Sequence, residues 1–248
     1  MAAIDMGLAG KRVLVTGASR GIGAAAARAF ASTGAHLALH YNSDAGEAHG
    51  IVHTCLLRGD FTDTGAVRRV VEEAVTHLGG LDVLVNNAGH MLGRIPLDKM
   101  RGADIDAIFD LNARSVVTAT QAALPALEAS RGCIVNVTSI SARAGGSTGS
   151  SLYSAAKAFV STFTRAAALE LAPKGIRVNA VSPGTIDTDF HRAYSTPEKL
   201  EATRLRIPLQ RLGTGDDCAG AFLFLASARL AAYVTGQIVE VNGGQLMP

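Results

Sequence analysis

Cysteine and proline are both scarce: 248 residues hold three of the first and seven of the second. Cys55, Cys133 and Cys218 lie far apart, make no CxxC pair and sit inside apolar or helical runs. That excludes a disulfide scaffold and suits buried free thiols in a reducing compartment. No cluster of Cys and His with ligand spacing is present, so no catalytic metal is expected. Charge of one sign is missing too. The formal net charge is +2, and the 18 arginines and 5 lysines are scattered rather than massed. Neither nucleic acid nor an anionic membrane gains an electrostatic case from this. No apolar run approaches the roughly 18 residues needed to cross a bilayer, and the opening MAAIDMGLAGKR lacks a basic start followed by an apolar core. A soluble cytoplasmic protein acting on a small molecule is the expectation.

What the chain does have is a globular composition, 48% hydrophobic and 18% charged with 27 glycines and no low-complexity tract. Short apolar runs alternate with longer amphipathic ones. RVLVTG is followed by a helix-like stretch from Gly21 to Ser32 and then by HLALHY, with LDVLVNNAG, GCIVNVTS and GIRVNAVSPG later. Each strand-like run is continuous rather than alternating, as a sheet buried on both faces requires. Regular βαβ alternation predicts a parallel sheet with right-handed crossovers and helices on both sides. No linker, composition shift or repeat divides the chain, so a single domain is predicted.

Ligands of such sheets sit beyond the carboxyl ends of the strands, and four unusual stretches fall there. TGASRGIG, with Gly17, Gly21 and Gly23, follows the first strand, where glycines let backbone N–H groups and a helix start approach a pyrophosphate. The spacing GxxxGxG differs from the general dinucleotide fingerprint, so a plain tight turn also explains it. NNAG, Asn86 to Gly89, is either a floor beneath a ribose and a flat ring or a turn built from Asn and Gly. Ser139 closes the fifth strand, where serines often serve as caps. SPGTIDTD breaks the chain at Pro183 and Gly184 and then offers Thr185 and Thr188.

A fifth feature is Tyr153 followed by Lys157 in SSLYSAAKAF. Residues four apart share a helical face, so both polar ends can meet one small molecule. With four tyrosines and five lysines in the chain, one such pair arises by accident about 8% of the time, a risk any short motif carries.

Together, glycine loop, amide turn, serine and Tyr–Lys helix resemble the short-chain dehydrogenases/reductases over essentially the whole length, from Thr16 through YVTGQIVEVNGG. The resemblance is strongest to 3-oxoacyl-carrier-protein-reductase-like members. It implies one Rossmann-type doubly wound domain over 1–248 with about seven parallel strands. It implies a catalytic set of Asn112, Ser139, Tyr153 and Lys157. For the cofactor it implies Gly17, Ser19, Arg20, Gly21, Ile22 and Gly23 around the diphosphate, and Asn42, Asp60 and Phe61 about the adenosine. Asn87, Ala88 and Gly89 fall on the ribose side, and Pro183, Gly184, Ile186 and Thr188 at the nicotinamide carboxamide, with Tyr153 and Lys157 also touching the cofactor. A homotetramer paired through alanine-rich helices around Asp104–Glu128 and Leu152–Leu171 is implied as well.

Reducing a ketone by hydride leaves an alkoxide that must gain a proton as it forms, and Tyr153 is placed to supply it. Lowering a phenol from a pKa near 10 toward ~7 requires about 4 kcal/mol of preferential phenolate stabilisation, and the ammonium of Lys157 has the right sign and size. Ser139 is expected to orient the substrate oxygen and Asn112 to hold a proton-relaying water. Ser141 is a rival for the serine role, because Ser139 and Tyr153 lie one residue further apart than is common in the family. Tyr41 and Asn42 stand where NAD-binding members carry Asp, and the guanidinium of Arg20 suits a 2′-phosphate, so NADP(H) is favoured over NAD(H). The alternative keeps Arg20 as a solvated charge and lets Asp44 reach the ribose. The stretch between the second and third strands is about a helical turn short, with Gly46 and Gly50 weakening any helix. Residues 190–213 are the expected lid, with Arg192, Arg204 and Arg206 favouring an acidic carrier. A ketone or secondary alcohol is the expected substrate; a sugar or polyol dehydrogenase and a silent nucleotide sensor are the alternatives.

Overall fold

The computed structural model describes residues 5–247; residues 1–4, where the amino-terminal stretch read above begins, and residue 248 lie outside it. Every apolar run singled out above lies in a strand, and two further strands, from CLLR and IVEV, bring the number among the described residues to seven. They are β1 (Arg12–Val15), β2 (His36–Tyr41), β3 (Cys55–Arg58), β4 (Val83–Asn86), β5 (Cys133–Val137), β6 (Arg177–Pro183) and β7 (Ile238–Val241). They join in one sheet in the order β3-β2-β1-β4-β5-β6-β7, with every pairing parallel.

The connecting helices are α1 (Gly21–Ser32), α2 (Thr64–Leu78), α3 (Gly102–Phe109), α4 (Ser115–Ser130), α5 (Ser141–Ala144), α6 (Ser151–Leu171), α7 (Asp189–Tyr194), α8 (Pro197–Arg204) and α9 (Gly215–Ala226). The period of two in each strand divides the core into two layers. Val13, Val15, Leu37, Leu39 and Val135 face α1 and α9, which contribute Phe30 and Phe222. Leu14, Ala38, Leu84 and Ile134 face the opposite way, onto Val70 of α2, Ala123 of α4 and Ala168 of α6. Both faces of the central strands are thus covered, which is why their sequences do not alternate with polar residues. Phe30 and Phe222 are fully buried, and truncating such a residue to alanine costs about 3–5 kcal/mol.

Two local features depart from the sequence reading and a third, the weak β2–β3 connection, follows it, each with a physical cause. The long helix expected over Asp104–Glu128 is interrupted by a π-helical turn, Asp110–Arg114, a widening that commonly marks functional sites. Between β2 and β3 only a 3₁₀ turn forms, Gly46–Gly50, where the two glycines fail to support a full crossover helix. Cys133 and Cys218 are buried, but Cys55, on the edge strand β3, is only half-buried. No helix among the described residues is long and apolar enough to cross a membrane.

β1 is hydrogen-bonded to β2 on one side and β4 on the other, and the chain reverses direction across the sheet at that point. The carboxyl ends of β1, β4, β5 and β6 therefore open onto one crevice.

Candidate active site

That crevice is a cavity of about 930 Å³ bordered by residues from the ends of all four strands. Its floor is the turn after β1. Gly17 and Gly21 have φ of +66° and +57°, values a side chain disfavours. A Cβ on Gly23 would overlap the carbonyl oxygen of Gly17 and the amide nitrogen of Asn87, and one on Gly17 would lie 2.9 Å from the Cα of Ala88. Asn87 fixes this approach: Nδ2 donates to the carbonyls of Thr16 and Gly17, both at 2.9 Å. Thr16 Oγ1 accepts from the backbone N–H groups of Asn87 and Ala88. Its neighbour Asn86 points into the sheet, donating to Asn136 Oδ1 at 2.9 Å. Such a cradle, heading the twelve-residue helix α1, offers close backbone approach and a positive helix end, which fits a dinucleotide phosphate.

His40 is a member of the site that sequence reasoning missed. It is the next-to-last residue of an apolar strand, and no local pattern marks it. Its Nδ1 accepts from the backbone N–H of Gly17 at 3.1 Å while Nε2 donates to the carbonyl of Gly59 at 3.0 Å. Burial lowers its pKa to about 4, so the ring is neutral and one tautomer serves both bonds. It also stacks on Phe61, with centroids 3.7 Å apart. Phe61 borders the cleft as expected; Asp60 does not. The Asp60 carboxylate turns back to accept from the backbone and hydroxyl of Thr62, closing an Asx turn. Ser19, Arg20, Ile22, Asn42, Ala88, Gly89, Pro183, Gly184, Ile186 and Thr188 all border the cavity.

The reacting end gathers at β5 and the start of α6. Tyr153 lies in the first turn of α6, close enough to the Ser139 hydroxyl for that group to favour its phenolate. Ser141 donates to Ser139 Oγ from both its hydroxyl, at 3.0 Å, and its backbone N–H, at 3.2 Å. The rival serine therefore orients Ser139 rather than replacing it. Gly145, Gly146 and Gly149, all with φ near +76° to +78°, fold the longer connection so that Ser139 still meets Tyr153. Lys157 Nζ sits 5.8 Å from the centroid of the Tyr153 ring and donates to the carbonyl of Val137 at 2.9 Å.

Two expectations change here. The phenol of Tyr153 is not acidified by the chain's own groups: burial pushes it up to about 12, against the lowering effect of Ser139. Desolvation wins because the ammonium lies toward the ring and is engaged by Val137. Burial also brings Lys157 down to about 8, still mostly ammonium at neutrality. Asn112, fully buried in the π turn, does not border the cavity. Its Nδ2 donates to the carbonyls of His90 and Ile108, and its Oδ1 accepts from the backbone N–H of His90. It pins the His90 backbone at both its N–H and its carbonyl instead of presenting an open amide. A Cβ on Gly89 would lie 2.8 Å from Asn112 Oδ1 and 3.1 Å from Lys157 Nζ, so both groups flank that backbone.

The segment expected as a lid does close one side of the cavity, with Phe190, Ser195, Lys199, Leu200, Thr203 and Arg206 on its border. Phe190 packs 5.5 Å from Tyr153, 5.6 Å from His90 and 5.4 Å from Tyr194, centroid to centroid. Tyr194 Oη is 3.1 Å from His90 Nδ1. His90 directly follows NNAG, and that adjacency was the available signal; for Tyr194 there was none. Arg192 pairs with Asp187, Arg204 with Glu201 and Arg211 with Asp217, which leaves Arg206 alone of the four lid arginines without a carboxylate among the described residues. No group of three or more His, Cys, Asp or Glu arranged to hold a metal occurs among the described residues.

A family model described as Enoyl-(Acyl carrier protein) reductase matches residues 17–245. The 3-oxoacyl-[acyl-carrier-protein] reductase FabG of Staphylococcus aureus is 39% identical over 246 residues, covering 96% of this chain and 98% of that protein. The 3-oxoacyl-[acyl-carrier-protein] reductase of Synechocystis is 37% identical over 243 residues, covering 94% and 96%. Among solved structures, a short chain dehydrogenase from Burkholderia cenocepacia in complex with NADP is 38% identical with a TM-score of 0.89, covering 96% of this chain and 98% of that one. An NADH-dependent reductase A1-R′ complexed with NAD is 35% identical with a TM-score of 0.86, covering 99% and 100%.

Proposed function

This chain belongs to the short-chain dehydrogenase/reductase family, and from that premise we propose that it reduces a ketone to a secondary alcohol with NADPH in preference to NADH. The observation that carries the reading is the convergence of Ser139, Tyr153 and Lys157 on the cavity whose far end is the glycine cradle. A nicotinamide, when bound, supplies the hydride. Gly17, Ser19, Gly21, Ile22 and Gly23 would hold its diphosphate, Asn42 and Phe61 its adenosine, and Asn87 to Gly89 its ribose side. Pro183, Gly184, Ile186 and Thr188 would hold the carboxamide.

The chain's own groups do the proton work. Tyr153, protonated across the neutral range, gives its Oη proton to the substrate oxygen as negative charge grows there. Ser139 holds that oxygen in line, itself oriented by Ser141. Lys157 carries the positive charge that favours phenolate once the proton has left, and its Nζ faces the Gly89 backbone, next to the His90 backbone that Asn112 pins. A panel of ketones read at the reduced-nicotinamide absorbance tests this. Turnover in the native protein should fall at least about 10³-fold in Tyr153→Phe, within the usual range for losing a general acid, while cofactor binding survives. Turnover undiminished in that variant would refute the assignment.

The cofactor preference rests on Arg20, which borders the cavity at the head of α1, and on the missing carboxylate at positions 41 and 42. The Asp44 carboxylate accepts from the N–H of Gly46 and is occupied in its own turn. Arg20 pairs with Asp189 at 3.5 Å, with both side chains more than half exposed, a contact weak enough to yield to a phosphate. In Arg20→Ala, kcat/KM for NADPH should drop about tenfold, the worth of one charge-assisted hydrogen bond, with NADH unaffected. A native preference for NADH overturns the proposal. Exposed apolar residues on α6, Phe159 and Leu169, support the further reading of a homotetramer paired through that helix.

A further inference from the structure

The lid end of the cavity holds positive charge that the reduction itself does not use. Arg94, Lys199 and Arg206 all border the cavity, and none has a carboxylate within ion-pair distance among the described residues. Arg94 is held in place by neutral acceptors. Its Nε donates to the carbonyl of Tyr194 at 2.7 Å, and its Nη1 donates to Ser147 Oγ at 2.6 Å and the carbonyl of Thr148 at 3.1 Å. Its Nη2 makes no hydrogen bond among the described residues. The backbone behind it is braced against the start of α6, since the Ile95 N–H donates to the carbonyl of Gly149. Lys199 Nζ has no hydrogen-bond or ion-pair partner among the described residues, and desolvation, with a further contribution from the positive charge of Arg94, lowers its pKa. Two like charges on one cavity border repel unless an anion joins them.

This charged end is close to the chemistry. Tyr153 touches Phe190, Phe190 touches Tyr194, and the carbonyl of Tyr194 accepts from Arg94. Asp187 and Asp189, just before the lid, are taken by Arg192 and Arg20, and Glu201 within it by Arg204, while Glu198 is exposed and makes no ion pair with Lys199 among the described residues.

We infer that Arg94, Lys199 and Arg206 form an oxoanion subsite, so that the ketone substrate carries a carboxylate or phosphate at the end remote from its reacting carbonyl. This rests on the reductase reading above and adds to it a substrate class. A guanidinium fixed on one edge with a free Nη2, near an ammonium without a partner among the described residues, suits either oxoanion.

The test uses the full chain and probes with no ketone, so its outcome does not depend on turnover. Pentanoate, pentanamide and inorganic phosphate are titrated at low ionic strength, by calorimetry or NMR, against the native protein and against Lys199→Gln/Arg206→Gln. These two side chains make no hydrogen bonds or ion pairs among the described residues, so the variant should fold normally. Pentanoate or phosphate should bind at least about fivefold more tightly than pentanamide, and the advantage should vanish in the double variant. Pentanoate binding alone assigns a carboxylate, and phosphate alone a phosphate ester. Equal binding of charged and neutral probes, or an advantage that survives the double substitution, overturns the subsite. A kinetic arm compares a ketoacid with its methyl ester: KM for the acid should rise about fivefold in the double variant, with the ester and kcat unchanged. Brisk Tyr153-dependent reduction of neutral ketones with no charge effect would sink this inference alone. Anion binding without any ketone turnover would instead sink the reductase reading.

Discussion

Replacing Lys157 with methionine should change how the stability of this protein responds to pH, by an amount the structure fixes. Lys157 is 3% exposed, and its ammonium titrates at about 8 instead of 10.5 because burial strips its water. Below pH 8 both folded and unfolded chains carry the proton, and the folded state bears the full penalty of about 3 kcal/mol. Between pH 8 and 10.5 the unfolded chain holds more protons than the folded one, so stability must rise with pH across that window. From pH 7 to pH 9.5 the gain from this one group works out at about 2 kcal/mol. The Met variant lacks it. The bond from Nζ to the carbonyl of Val137 is open to amine and ammonium alike, so its loss offsets the two curves without tilting them. Every other titrating group is common to both proteins and cancels in the difference. Urea melts at pH 7 and 9.5 supply the measurement, with equal m-values as the check that both transitions expose the same surface. Two curves that run parallel within about 0.5 kcal/mol would refute the claim that Lys157 is held as a desolvated cation.

Other substitutions probe the remaining parts of the site. Gly23→Ala puts a methyl group onto the carbonyl of Gly17 and the amide of Asn87, and backbone cannot step aside as a side chain can. It should cost about 1–3 kcal/mol in urea melts and raise the cofactor Kd more than tenfold by fluorescence titration; an unchanged Kd would show that the cradle does not hold the diphosphate. Tyr153→Phe and Arg20→Ala, treated above, separate the proton donor from cofactor choice, since the first should leave binding intact and the second should leave turnover with NADH intact.

Much of the architecture was legible because it is encoded locally. HLALHY and the stretch from Gly21 to Ser32 carry their own periods and breakers, and both appear as elements with those boundaries. Continuous apolar strands required cover on both faces, and the two core layers supply it. The order of glycine loop, amide turn, serine and Tyr–Lys helix likewise sufficed to name the family.

What only the tertiary structure decided is where each side chain points and what surrounds it. Asn86 and Asn87 are adjacent and identical in type, yet one turns into the sheet and the other ties down the glycine loop, about 70 residues away in sequence. Asn112 fits the catalytic pattern by position, but its amide is committed to the His90 peptide. The direction in which Tyr153 titrates depends on a balance between lost water and a nearby ammonium, and burial tipped it upward. Sequence sets short-range preferences through backbone sterics and hydrophobic period. Desolvation and contacts between distant segments exist only once the chain has packed, so the electrostatics of the cavity, and the unpaired positive charge at its mouth, had to be read from the folded molecule.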